Sequence, residues 1–160
     1  MIYEGTNGVQ ALDLVGRKLL SDRGEALTLW SDMVKPFIAE HINNEAMKPY
    51  LLPLMDASTD LEKATGFISG QAVTNPDIIG AASMPYMQIF GITALAWMWT
   101  RTAAVAVQAL EEGVENETFY RAKLTTAEFY MSYWAVQTRS LRKQVESASL
   151  QLTGLCEDDF

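Results

Sequence analysis

A chain of 160 residues is long enough for one domain with a real core, and its 49% hydrophobic share excludes a disordered chain. The net charge of −8 and pI near 4.6 argue against nucleic acid, which needs a basic face, and disfavour anionic membrane surfaces. Cys156 is the single cysteine, so no internal disulfide can form and a reducing, cytoplasmic setting is expected.

Residues 1–17 begin with an apolar lead-in that delivers one carboxylate, Glu4, onto the turn Gly5-Thr6-Asn7-Gly8. No signal peptide is visible, because Met1 leads into this turn rather than a charged and apolar leader. Gly5 and Gly8 allow positive φ or a close approach to a ligand, and Thr6 or Asn7 can cap the helix that follows. That helix is expected from near Val9 to Leu20, with Val9, Leu12, Val15 and Leu19 at helical spacing. Glu4 then sits just outside a helix N-terminus, whose free N–H groups suit an anionic ligand. On physics alone this is a carboxylate beside an anion-tolerant turn, which an ordinary acidic residue near a helix start would also produce.

Ser21-Asp22-Arg23-Gly24 reads as a stop and a new start. Leu27, Trp30, Val34, Phe37, Ile38 and Ile42 place a second helix, kinked at Pro36 and ended by Asn43-Asn44. A third helix follows from Glu45 or Pro49 to Ser69 and carries Leu51, Leu52, Met55, Leu61 and Phe67; Pro49 fits its first turn better than Pro53 fits its interior. The stretch from Gly70 to Asp77, ending Asn75-Pro76-Asp77, is a loop and a helix start. From Ile78 to Thr100 there are 23 residues without a formal charge. By length this is a membrane-span candidate. Its Pro85, Gln88, Gly80 and Gly91, and the lack of flanking Lys or Arg clusters, favour instead the buried central helix of a bundle, running on to Leu110 and stopping near Gly113. Glu111 to Glu117 is a solvated acidic turn. The last long helix starts near Thr118, and Phe119, Ala122, Thr126, Phe129, Tyr133 and Val136 keep steps of three and four as its apolar stripe. Tyr130 and Trp134 widen that stripe, and Arg139, Arg142 and Lys143 fall on the later turns, where cations are favoured. A short acidic tail ends the chain. The expectation is an all-α protein of about five helices: an antiparallel bundle of four long helices preceded by a short motif-bearing helix.

With His41 as the only histidine, neither a nucleophilic His-Cys-Asp set nor a multi-histidine metal site can be built, and His41 reads as a partly exposed helix residue. No metal ligands are assigned. A di-iron bundle site would need Glu-x-x-His on two helices. Acidic neighbours disfavour a reactive Cys156 thiolate. Phosphate-cradling glycine loops are absent from the sequence.

The stretch Tyr3-Glu4-Gly5-Thr6, continued through Asn7-Gly8-Val9-Gln10-Ala11-Leu12-Asp13-Leu14-Val15-Gly16-Arg17-Lys18, resembles the C-terminal signature of flavin-dependent acyl-CoA dehydrogenases. It is most similar to the branch with an extra C-terminal helical domain, the 3-methylmercaptopropionyl-CoA dehydrogenase-like branch. The resemblance implies that Glu4 is the base that takes the α-proton of an acyl-CoA thioester while the β-hydrogen leaves as hydride to FAD. A water-poor pocket would raise the pKa of such a base toward its task. It further implies that Tyr3 and Gly5 lie beside the acyl substrate, and that Thr6, Asn7 and Gly8 run along FAD. Many relatives have glutamine where this chain has Gly8, so a contact there would come from the backbone; Gln10 agrees with a common glutamine and receives no role. The family needs an N-terminal helical domain and a β domain ahead of the motif. The chain is therefore expected to be the C-terminal piece of a larger enzyme of fatty acid metabolism, inactive alone. Residues 1–22 would end the catalytic domain and residues 23–160 would form the extra bundle. Electron-transfer flavoprotein as acceptor and a homodimeric assembly are also implied. The alternative is a free-standing helical module for protein interaction or dimerisation.

Overall fold

The computed structural model describes residues 6–151, with side-chain surroundings through residue 147. The expectations for Tyr3, Glu4, Gly5 and the acidic tail lie outside the described residues. Helix α1 spans Thr6–Leu12 and passes directly into a π-helical stretch, Asp13–Leu19. Helix α2 (Glu25–His41) follows, then α3 (Lys48–Gln71), α4 (Ile78–Glu112), α5 (Glu117–Tyr133) and α6 (Thr138–Gln151). Single 3-10 turns at Glu45–Met47 and Ala135–Gln137 join α2 to α3 and α5 to α6. Among the described residues there is no strand, and the all-α bundle is as expected.

The joints follow from local chemistry. Gly24 adopts φ +82°, a left-handed conformation that a side chain would strain. The Asp22 carboxylate accepts from the Gly24 and Ala26 N–H groups at 2.9 and 3.2 Å, so α2 starts on a side-chain cap. Asn44 does the same for the turn before α3, accepting from Ala46 N–H at 2.9 Å. Pro49 stands in the first turn of α3, where no donor is lost. Gly113 ends α4 at φ +76°, as the sequence suggests.

Helix α4 is the central member. It packs on α1, α3, α5 and α6. Its buried threonines reach across to α3: Thr93 and Thr100 hydroxyls donate to the carbonyls of Ala57 and Tyr50 at 3.4 and 3.3 Å, besides bonding their own helix. Tyr86 and Thr65 share a hydroxyl hydrogen bond of 2.8 Å. Pairing 86 with 65, 93 with 57 and 100 with 50 makes the two helices antiparallel. The fully buried Ala57 and Ala64 on α3, with Ala82, Ala96 and Ala103 on α4, let the backbones approach. The core has two parts. One gathers Val15 and Leu19 with Leu61, Ile68, Ile78, Tyr86, Ile89 and Val145. The other joins Val34, Leu51, Leu54, Ala127 and Met131, and Trp30 of α2 packs against both.

Four expectations are corrected. The first helix begins at Thr6, not near Val9, because nothing in Thr6-Asn7-Gly8 forbids helical backbone and a glycine is tolerated in a first turn. The last long helix is two helices, turned at Trp134 and re-started at Thr138, whose hydroxyl donates to the Ala135 carbonyl at 2.9 Å and to Asp60 at 3.0 Å. The stripe through Phe119, Phe129, Tyr133 and Val136 faces outward, each residue 48–59% exposed. The buried side of α5 is Ala127 and Met131, continued by Ala135, Thr138, Leu141 and Val145. Leu52 and Met55 of α3 are likewise exposed, since the buried row runs through Leu51, Leu54, Ala57 and Leu61.

Candidate functional site

The candidate site is the N-terminal end of α1. Thr6 and Asn7 are exposed and Gly8 is half-buried. Helix α1 is fixed from behind. Ala11 and Val15 are fully buried and Leu19 nearly so, all on the side that meets α4. In the π-helical stretch the wider turn accompanies a close approach: a Cβ on Gly16 would come within 3.2 Å of the Ile79 side chain of α4. Asp13 pairs with Arg17 and, at 3.6 Å, with Lys18. The hydrogen bond from Arg17 holds the Asp13 carboxyl below its ordinary range.

Gly8 is helical, so of the positive φ or close ligand approach expected of it the positive φ is not used, and among the described residues nothing beyond its own helix and chain neighbours lies within 4 Å of where its Cβ would stand. A first prediction follows: Gly8→Ala raises the stability of this chain or leaves it unchanged, by at most about 1 kcal/mol in its favour. A loss of thermal stability would contradict the helical placement. Val9 and Leu12, 67% and 47% exposed, stand on the outer side of the same helix, so α1 is anchored on α4 and presents apolar side chains outward.

Elsewhere the side chains serve structure. Asp60 of α3 accepts from Arg142 Nε at 2.7 Å and from the Thr138 hydroxyl, and Arg142 also pairs with Glu146. Sequence reading placed Arg142 on a helix end and missed this partner. An open cleft of about 420 Å³ beside the cluster is lined by Leu52, Lys63, Val136 and Arg139. A wider groove of about 690 Å³ runs between α2 and α4 past His41, whose ring lies 4.4 Å from Phe37. Among the described residues, every shifted pKa moves its group away from neutrality. Burial pushes Tyr130 up to about 12, burial raises Tyr86, and burial with the Glu128 charge raises Tyr50. These groups are not tuned for acid–base work near pH 7.

Residues 30–155 match the family described as acetyl-CoA dehydrogenase C-terminal like. The broad-specificity linear acyl-CoA dehydrogenase of Mycobacterium tuberculosis is 29% identical over 167 aligned residues, covering 99% of this chain and 27% of that protein. The 3-methylmercaptopropionyl-CoA dehydrogenase of Ruegeria pomeroyi is 29% identical over 130 residues, 81% of this chain and 22% of its own length. Butyryl-CoA dehydrogenase of Syntrophomonas wolfei is 23% identical, with 81% of this chain and 22% of that protein covered. The chain thus spans about a quarter of the length of the curated relatives it matches.

Proposed function

The chain belongs to the acetyl-CoA dehydrogenase C-terminal-like family, and from that membership we propose that it is the C-terminal part of a flavin-dependent acyl-CoA dehydrogenase. The observation that carries the reading is the family match over residues 30–155, together with acyl-CoA dehydrogenase relatives of which this chain covers 22–27%. Thr6 and Asn7 are exposed at the start of α1, with Ala11 and Val15 buried behind them. They make one wall of a site whose remainder belongs to upstream domains.

In this reading Thr6, Asn7 and Gly8 would line the FAD site. Bound FAD supplies the hydride acceptor. Glu4 takes the α-proton as that C–H bond breaks, while the β-hydrogen leaves with its electron pair, and a C–C double bond forms between the two carbons. Tyr3 and Gly5 flank the acyl group, and exclusion of water there keeps the carboxylate basic enough for a weakly acidic carbon. Residues 1–22 close the catalytic domain and residues 23–160 are the added bundle. The assembled enzyme is a cytoplasmic homodimer that passes electrons to electron-transfer flavoprotein.

Flavin tests this. Mixed with the upstream part of the enzyme, the chain is expected to restore flavin binding and turnover, read from flavin absorbance and fluorescence. Failure of both would favour the second reading, a free-standing interaction module, for which the exposed rows on α4 and α5 speak.

A further inference from the structure

Helix α1 and the π-helical stretch form one unbroken run from Thr6 to Leu19, and Gly16 sits inside it against α4. A Cβ at Gly16 would stand 3.2 Å from Ile79 Cγ2, inside the roughly 3.5–4.0 Å at which carbon atoms pack. At no other described glycine would a Cβ meet anything within 4 Å beyond its own helix and chain neighbours. A glycine inside a helix is otherwise a cost, since alanine would hold the helix better. Gly16 is thus the place where absence of a side chain lets the run lie close. The turns around it are π-helical, a form seen mostly as single turns and frequently at functional sites.

We propose that Gly16 is a positioning residue, setting how closely α1 lies on α4 and so where the motif of Tyr3 to Gly8 is presented. The inference rests on the acyl-CoA dehydrogenase reading, in which that motif carries the base Glu4 and lines the flavin site. Gly16 touches neither substrate nor flavin there and acts through α1.

The lever is short. Thr6 lies ten residues before Gly16, and the fully buried Ala11 stands midway between them. A displacement at Gly16 about that contact therefore returns at Thr6 with similar size. Ile79 has little freedom to yield, because it packs against the core that holds Ile68, Ile78 and Ala82. A β-branched side chain at position 16 then moves the run rather than its neighbour. Misplacing a reacting group by about 1 Å costs about 100-fold in rate. In this reading the upstream domains hold most of the substrate, so the loss falls on kcat rather than KM.

The experiment is steady-state kinetics of the full-length dehydrogenase carrying Gly16→Val, read with flavin content and Tm. Valine forms helix better than glycine, so propensity alone predicts no loss. Gly16→Val is expected to lower kcat about 100-fold, with flavin retained and KM changed less than about 3-fold. Gly16→Ala, a smaller intrusion should valine prevent folding, is expected to lower kcat about 10-fold. Adding Ile79→Ala to Gly16→Val moves three carbons from one side of the contact to the other and is expected to restore most of kcat. Wild-type kcat in both Gly16 variants overturns the inference. So does an equal fall with Gly66→Val, where a Cβ meets nothing, or a loss of kcat, flavin and Tm together that Ile79→Ala does not reverse. A wild-type enzyme without flavin-dependent turnover overturns the dehydrogenase reading itself, and this inference with it.

Discussion

In the dehydrogenase to which we assign this chain, Glu4→Gln is expected to keep the flavin and to lower turnover about 1,000-fold or more, the scale of losing a positioned general base. Glutamine preserves the size of the side chain and its hydrogen bonding but cannot accept the α-proton. Binding of acyl-CoA should change little, so the loss falls on kcat rather than KM. The site's support predicts a second difference. Helix α1 is fixed by Ala11 and Val15 at full burial, so the variant leaves the bundle's own thermal unfolding unchanged. Near-normal turnover of Glu4→Gln would remove the base assignment.

Asp60→Ala should destabilise this chain by about 3 kcal/mol, lowering Tm by roughly 6–10 °C in a domain of this size. The Asp60 and Arg142 side chains are 12% and 17% exposed, and their 2.7 Å ion pair is joined by the Thr138 hydroxyl at 3.0 Å. Removing the carboxylate leaves a guanidinium largely shielded from water, with Glu146 on its outer side as the remaining partner. It also frees the start of α6, where Thr138 sets the turn out of α5. Asp60→Asn keeps an acceptor for Thr138 and should lose less. Urea unfolding of the variants decides it. A loss below about 0.5 kcal/mol would place the cluster among solvent-exposed pairs, which contribute little.

These two sites differ in how far sequence could reveal them. Tyr3 to Gly8 carries its meaning locally, in a run of residue types, and its resemblance to one enzyme family is legible without coordinates. Caps and stops are equally local. Asn44 acts through its side chain on an N–H two residues on, Asn75-Pro76-Asp77 and Gly113 act through their own backbones, and all fall where the sequence places them. Burial on α5 is different. Steps of three and four collect Phe119, Phe129, Tyr133 and Val136 on one side, but periodicity does not say whether that side is inside. Packing against the alanines of α4 selects Ala127 and Met131, whose small or pliable side chains admit close approach. The Asp60–Arg142 pair joins positions 82 residues apart, a relation no local pattern encodes. Helix α4 was recognisable as apolar all round. Its open side was not, since only the positions of α2 and α5 reveal which positions stay uncovered.

The most direct measurement of the central claim is the genomic sequence upstream of the Met1 codon, read in frame. The account predicts a frame that stays open for several hundred codons and encodes a helical and then a β domain, making Glu4 the base of a flavoenzyme. A stop codon with a ribosome-binding site just ahead of Met1 would contradict it and leave a free-standing helical partner-binding protein with a dehydrogenase ancestry.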